Sequence, residues 1–136
     1  MGTRVLFLCT GNSARSQMAE HLLRHLYGDR FEVYSAGTSP AGINPLTIRV
    51  LDELGIDAHS ATSKKLDVFL GQAFDYVITV CDNAKEHCPV FPGGGKRLHW
   101  SFDDPAAAEG DEQARLVCFR RIRDEIKSRL EQWADP

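Results

Sequence analysis

The sequence predicts an α/β fold, a parallel sheet carrying helices on both faces, and three observations predict it. Short apolar or β-branched runs, each long enough for one strand, alternate with amphipathic stretches of helical period. Glycine and proline punctuate the joins between them. No internal repeat and no linker interrupts the 136 residues, so one domain spanning residues 1–136 is expected.

Val5-Leu6-Phe7-Leu8 is continuously apolar, as a strand buried on both faces should be. From Arg15 to Tyr27, Met18, Leu22 and Leu26 align with Ala19 and Leu23 on one face; this predicts the first helix, with Gly28 as its stop. Phe31 to Ala36 reads as the second strand, and residues 37–42 as a loop. Asn44-Pro45 joins an N-cap to a proline at the first helical position, and Val50, Leu51 and Leu54 form a stripe that ends at Gly55. Residues 56–65 are polar and irregular, and Leu66 to Leu70 predicts a short helix. Asp75 to Val80, rich in β-branched residues, is the third strand. A polar segment after Cys81 fits a helix, Cys88 to Gly95 a loop, and Arg97 to Trp100 the fourth strand. Leu116, Phe119, Ile122, Ile126, Leu130 and Trp133 recur at helical spacing, which predicts a long helix over the rest of the chain. Its Arg120, Arg121, Arg123, Asp124, Glu125 and Lys127 read as a solvated face.

Chemistry concentrates in Cys9-Thr10-Gly11-Asn12-Ser13-Ala14-Arg15, with Ser16 behind it, between the first strand and the first helix. A loop in that position turns several backbone N–H groups toward one point, and the helix adds its unsatisfied amides and positive dipole end. The result is an anion cradle. Its positive potential favours a thiolate at Cys9 over a thiol. The planar fork of Arg15 matches two oxygens of a tetrahedral oxyanion, which a lysine would not. Gly11 and Asn12 are residue types that tolerate positive φ where the loop curls. Ser16 is placed to donate to the sulfur or to help cap the helix. A buried cysteine in a turn is the plainer alternative, but the strand before, the helix after and the residues within favour the cradle.

Hydrophobic residues at 43%, charged residues at 26% and a formal net charge of −3 argue against nucleic acid as the main partner. With no long apolar run and no N-terminal signal pattern, no membrane partner is expected and a cytoplasmic location is. Four cysteines without the dense spacing of a disulfide scaffold read as catalytic, redox-active or buried. Cys9 and Cys81 each follow a strand, which assigns both to the carboxyl edge, where parallel sheets bind ligands. Cys88 comes seven residues after Cys81, in a segment with Pro89, Pro92 and three glycines. Two buried small hydrophobes, or a zinc pair with His87 or His99, are the alternatives to a redox role; the spacing is wide for zinc. Cys118 reads as packing, and His21, His25 and His59 as surface or helix-face residues. Asp104, followed by Pro105 and three alanines, is a good helix N-cap in its own right.

Cys9 through Glu20, CTGNSARSQMAE, resembles the phosphate-binding loop of the low-molecular-weight protein tyrosine phosphatases and, more closely, of the arsenate reductases that share their fold. The likeness continues through Val33-Tyr34-Ser35-Ala36-Gly37, Val80-Cys81 to Cys88-Pro89, and His99-Trp100-Ser101-Phe102-Asp103-Asp104-Pro105. Ala14 departs from it, because many of these reductases carry a further cysteine there. A loop that works through backbone amides keeps its anion site regardless. The resemblance implies a low-molecular-weight-phosphatase-like fold of four parallel strands in the order 2-1-3-4, and an arsenate reductase serving arsenic detoxification. It implies that Thr10, Gly11, Asn12, Ser13, Ala14, Arg15 and Ser16 hold the oxyanion and that Cys9 is the nucleophile. Asp104, rather than Asp103, is then the general acid, and Cys81 and Cys88 are the redox pair of thioredoxin-coupled reductases.

The same resemblance implies no bound cofactor but an external thiol reductant, thioredoxin or glutaredoxin, with thioredoxin the expected one. Phosphate and sulfate are expected to compete with arsenate, and the protein to be a monomer. Phosphatases of this fold usually carry tyrosines after the proline, so the alanines here point to a small inorganic substrate. Reductases of the family can hold a cation beside the loop through residues matching Asn12, Glu20 and Ser35 with an acidic side chain. Lys64 stands at that acidic position, so no metal is expected. One rival is a low-molecular-weight tyrosine phosphatase that hydrolyses phosphate monoesters, an activity the reductase itself could retain weakly. Another is a phosphoryl carrier or anion-binding regulator. A carrier needs no second and third thiol at the same edge, and a hydrolase should survive their loss.

Overall fold

The computed structural model describes residues 2–134 and sets four parallel strands in one sheet. They are β1 Thr3–Cys9, β2 Phe31–Gly37, β3 Tyr76–Thr79 and β4 Lys96–His99, in the order β2-β1-β3-β4. The helices are α1 Arg15–Tyr27, α2 Pro45–Asp52, α3 Asp82–Glu86 and α4 Glu112–Ala134, with 3₁₀ turns at Leu66–Phe69 and Pro105–Ala107. Fold class and strand order are those expected. The last two residues of the expected C-terminal helix, Asp135 and Pro136, lie outside the described residues.

β1 is an inner strand, and Val5 to Leu8 are wholly buried, which is why a continuous apolar run encodes it rather than alternation. Register puts Leu6 beside Tyr34 and Val77, and Phe7 beside Ser35 and Ile78, so successive rows face opposite sides. On one side Phe7 meets Trp100, and Tyr76 stands edge-on to Trp133 of α4 at 5.1 Å. Helices α1 and α2 pack with α4 on that side. On the other, Tyr34 meets Phe69 of the first 3₁₀ turn at 5.6 Å, and Val77 and Thr79 share a cavity with Lys85 of α3. Helical segments thus cover both faces.

Strand ends shift slightly from expectation. β3 stops short of Asp75 and Val80, and β4 starts at Lys96, yet the N–H groups of Val80 and Trp100 still donate to Leu8 and Thr79 at 2.9 Å. α2 begins as its sequence implies, with the Asn44 side chain accepting the Leu46 N–H at 2.9 Å and Pro45 in the first turn.

One residue of the expected solvated face is buried. Arg123 is 7% exposed; it donates to the Val50 carbonyl at 2.9 Å and pairs with Glu53 at 2.8 Å. Position 123 lies beside Ile122 and one turn before Ile126, inside the apolar stripe, and its charge is met by the open carbonyl end of α2. Arg123 therefore ties α4 to α2. Register also sets Cys9 opposite Gly37 and Thr79 opposite His99, so the four strands end together and the loops after them converge on one edge.

Candidate active site

The loop between β1 and α1 is curled by Asn12, which has φ 47° and is the one non-glycine residue of positive φ among the described residues. Asparagine tolerates this backbone better than most side chains. Gly11, expected to share the curl, is not of positive φ, and a Cβ there would make ordinary contact with Ala41. The demand for glycine falls instead on Gly37, where a Cβ would collide with the Thr10 carbonyl and crowd the Asn12 N–H. Only a bare backbone lets β2 end so close to the loop.

The loop's carbonyls are turned outward and bonded from outside. Thr38, Ser39, Ala41 and Asn44 donate their backbone N–H groups to Cys9, Thr10, Gly11 and Ser13, at 2.9 to 3.1 Å. The Ser63 hydroxyl donates to the Asn12 carbonyl at 2.7 Å, and that of Thr47 to Ser13 at 2.9 Å. With the carbonyls tied outward, the peptide dipoles leave the N–H side facing the cleft. Asn12 is fully buried: its amide nitrogen donates to Ser16 and Ser35 at 2.8 and 2.9 Å, and its oxygen accepts from the Lys64 backbone and Gln17. This outer belt was invisible in the motif, because its members lie up to 52 residues away in the chain.

Cys9 is buried, with the Ser16 hydroxyl 2.8 Å and the Asn12 N–H 3.3 Å from its sulfur. Because Ser16 already accepts from Asn12, its own hydrogen is free to point at the sulfur. Ser16 thus serves the sulfur rather than the helix end; α1 is capped at Ala14 without a side-chain bond. A cleft of about 310 Å³ is lined by Cys9, Thr10, Gly11, Ser13, Ala14, Arg15, Asp104 and Ala106. Arg15 stands 3.8 Å from Asp104 and donates to the Phe102 carbonyl at 3.1 Å. Asp104 also caps the second 3₁₀ turn, accepting the Ala106 N–H at 3.0 Å, which is the capping role its sequence context predicts. Asp103 turns instead to Arg121, at 3.3 Å.

The thiols divide. Cys81 is buried with its sulfur 3.4 Å from the Thr10 hydroxyl, beside the residue that follows Cys9. Cys88 does not line the Cys9 cleft; it lines a separate cavity of about 290 Å³ with Lys85, Arg97 and His99, beyond α3. Burial there pushes its thiol up from the usual cysteine range, against a smaller opposing pull from Arg97. His99, a zinc candidate, is engaged by Thr79 at 2.8 Å and Asp82 at 3.0 Å. Lys64 brings its ammonium within 3.9 Å of Glu20, whose carboxylate also takes the Ser35 hydroxyl and pairs with Arg24.

A parallel 2-1-3-4 sheet with an arginine-lined cleft over a buried thiol at its carboxyl edge defines a class, the α/β enzymes that take oxyanions at a cysteine loop. The model of the low molecular weight phosphotyrosine protein phosphatases matches residues 4–136, and the chain belongs to that family. An arsenate reductase of Shouchella clausii is 46% identical over 96% of this chain and 94% of its own length. Among solved structures, an arsenate reductase in its phosphate-binding state superposes with TM-score 0.77 at 29% identity, over 96% of this chain and 95% of that one. A thioredoxin-dependent arsenate reductase of Corynebacterium glutamicum gives 0.75 at 36% identity, over 98% of this chain and 60% of the longer neighbour. Among the described residues no helix is long and apolar enough to cross a membrane.

Proposed function

We propose that this chain reduces arsenate to arsenite, with Cys9 as nucleophile and Cys81 and Cys88 as a thiol relay. Arsenate enters the cleft against Arg15 and the loop amides of residues 10–16. The Cys9 thiolate attacks arsenic while Asp104 gives its proton to a departing oxygen, which leaves as water. Cys81 then attacks the sulfur of the adduct; the sulfur–arsenic electron pair passes to arsenic, arsenite leaves, and a Cys9–Cys81 disulfide remains. Cys88 attacks Cys81 in turn, which frees Cys9 and leaves a Cys81–Cys88 disulfide. An external dithiol, thioredoxin in this reading, takes over that disulfide. Two thiols lose the two electrons that arsenic gains.

The observation that carries this reading is the buried Cys81 thiol beside Thr10, since hydrolysis at the loop needs no second thiol there. The names of the relatives support it, and so does Ala106 on the cleft wall, where a phosphotyrosine ring would want an aromatic partner. Phosphate and sulfate share the substrate's shape and compete for the loop. The reading needs no resident metal or cofactor, and takes the protein as a cytoplasmic monomer.

The test is arsenate-dependent NADPH oxidation with thioredoxin and its reductase, beside hydrolysis of p-nitrophenyl phosphate. Wild-type protein should oxidise NADPH only when arsenate is present. Cys81→Ser and Cys88→Ser should lose multiple turnover and keep any ester hydrolysis. Undiminished arsenate reduction by both variants would sink the relay, and ester hydrolysis without arsenate reduction would make the protein a phosphatase.

A further inference from the structure

The acid-bearing segment 101–104 runs between two buried anchors, Trp100 and Pro105. Two arginines from different helices hold it. Arg15, at the start of α1, donates to the Phe102 carbonyl at 3.1 Å and lies 3.8 Å from Asp104. Arg121, on α4, gives one arm of its guanidinium to Asp103 at 3.3 Å and the other to Glu125 at 2.7 Å, one turn along the same helix. The split fork fixes the plane of Arg121 between helix and segment, which a point charge would not do.

Arg15 has two claims on it. In the proposed reaction its fork turns to two oxygens of the substrate, while its N–H groups lie toward the Phe102 carbonyl and Asp104. The Arg121–Asp103 pair has no such competing duty. We propose that Arg121 is a positioning residue for Asp104, acting through Asp103 to hold the proton donor over the cleft once an oxyanion has drawn Arg15 away; this rests on the reading of Asp104 as the acid.

The test follows a single turnover in the absence of reductant, in a Cys88→Ser background where the relay stops at the Cys9–Cys81 disulfide, with formation of that disulfide measured by quench and mass spectrometry across arsenate concentrations. Because the pair is solvent-exposed, Arg121→Ala should slow the step about two- to fivefold at saturating arsenate, with half-saturation little changed. Asp103→Asn should do the same, and the double variant no worse than either alone. Arg121→Lys, which keeps the charge but not the fork, should recover part of the loss. In an Asp104→Asn background, Arg121→Ala should cost nothing further. An equal loss in that background, or a loss confined to half-saturation, would overturn the proposal and leave Asp104 as the acid. An unchanged rate in Asp104→Asn alone would overturn the acid reading, and the role of Arg121 with it.

Discussion

At one edge of the same sheet, the loop after β1 and the segment after β3 are built in opposite ways. In the first, outside donors tie down the carbonyls of residues 9–13, and the curl at Asn12 is buried and bonded on both sides of its amide. The second is a five-residue helix followed by a stretch in which Gly93 and Gly94 take φ of 94° and 67° and Val90 is 87% exposed. Cys88 bonds its own neighbour's carbonyl there, and Arg97 holds the carbonyls of Cys88 and Pro89. The contrast suits the two tasks proposed for these segments. A cradle has to keep its donors fixed while charge develops on the oxyanion, whereas a relay thiol has to travel to its partner.

Substitutions in the two regions should therefore behave differently. The largest effect is expected at Cys9: Cys9→Ser should keep the fold and lower arsenate turnover by roughly 10³-fold or more, since a serine hydroxyl in that field stays protonated. Near-native turnover by the serine variant would remove Cys9 as nucleophile. Next comes stability. Asn12→Ala deletes a buried amide with four partners and should cost about 2–4 kcal/mol in urea unfolding, whereas Val90→Ser should stay within about 0.5 kcal/mol. Equal costs at the two positions would erase the distinction between a rigid and a loose region.

The smallest effect is a null one. With its ammonium beside Glu20, Lys64 supplies the positive charge that a cation would bring, so turnover at constant ionic strength should not respond to potassium. A marked dependence on potassium would show that the Lys64–Glu20 pair does not fill that role.

Local chemistry was legible in the sequence, and long-range support was not. Val5 to Leu8 and Asn44-Pro45 each carry their structure within a few residues and took the form expected, and the loop from Cys9 to Arg15 joins β1 to α1 as expected, with the curl at Asn12 alone rather than shared with Gly11. The strand order came from resemblance rather than from periodicity. The belt of Thr38, Ser39, Ala41, Asn44, Thr47 and Ser63 behind the loop acts through backbone groups and two hydroxyls, so composition carries no trace of it. Gly37 did carry a signal, a glycine at a strand end, but its cause lies in Thr10 across the sheet. Arg123 misled because a helical wheel assigns charge to solvent, while the open end of α2 could receive it only in three dimensions. The cysteine spacing likewise could not reveal that Cys88 sits in a cavity of its own, apart from the cleft of Cys9.

The proposed relay has to pass through α3, beside the fixed loop. Cys88 lies seven positions after Cys81, and if the whole stretch were helical that separation would be roughly 10 Å of rise, whereas a disulfide needs Cα atoms within about 7 Å. The helix observed covers Asp82–Glu86 and stops two residues short of Cys88, and closing the bridge is expected to unwind it. Hydrogen exchange on the fully reduced protein and on protein oxidised to the Cys81–Cys88 disulfide tests this most directly. Protection across residues 82–95 should fall on oxidation while protection across residues 9–16 is retained; unchanged protection over residues 82–95, with the Cys81–Cys88 disulfide mapped, would contradict the account.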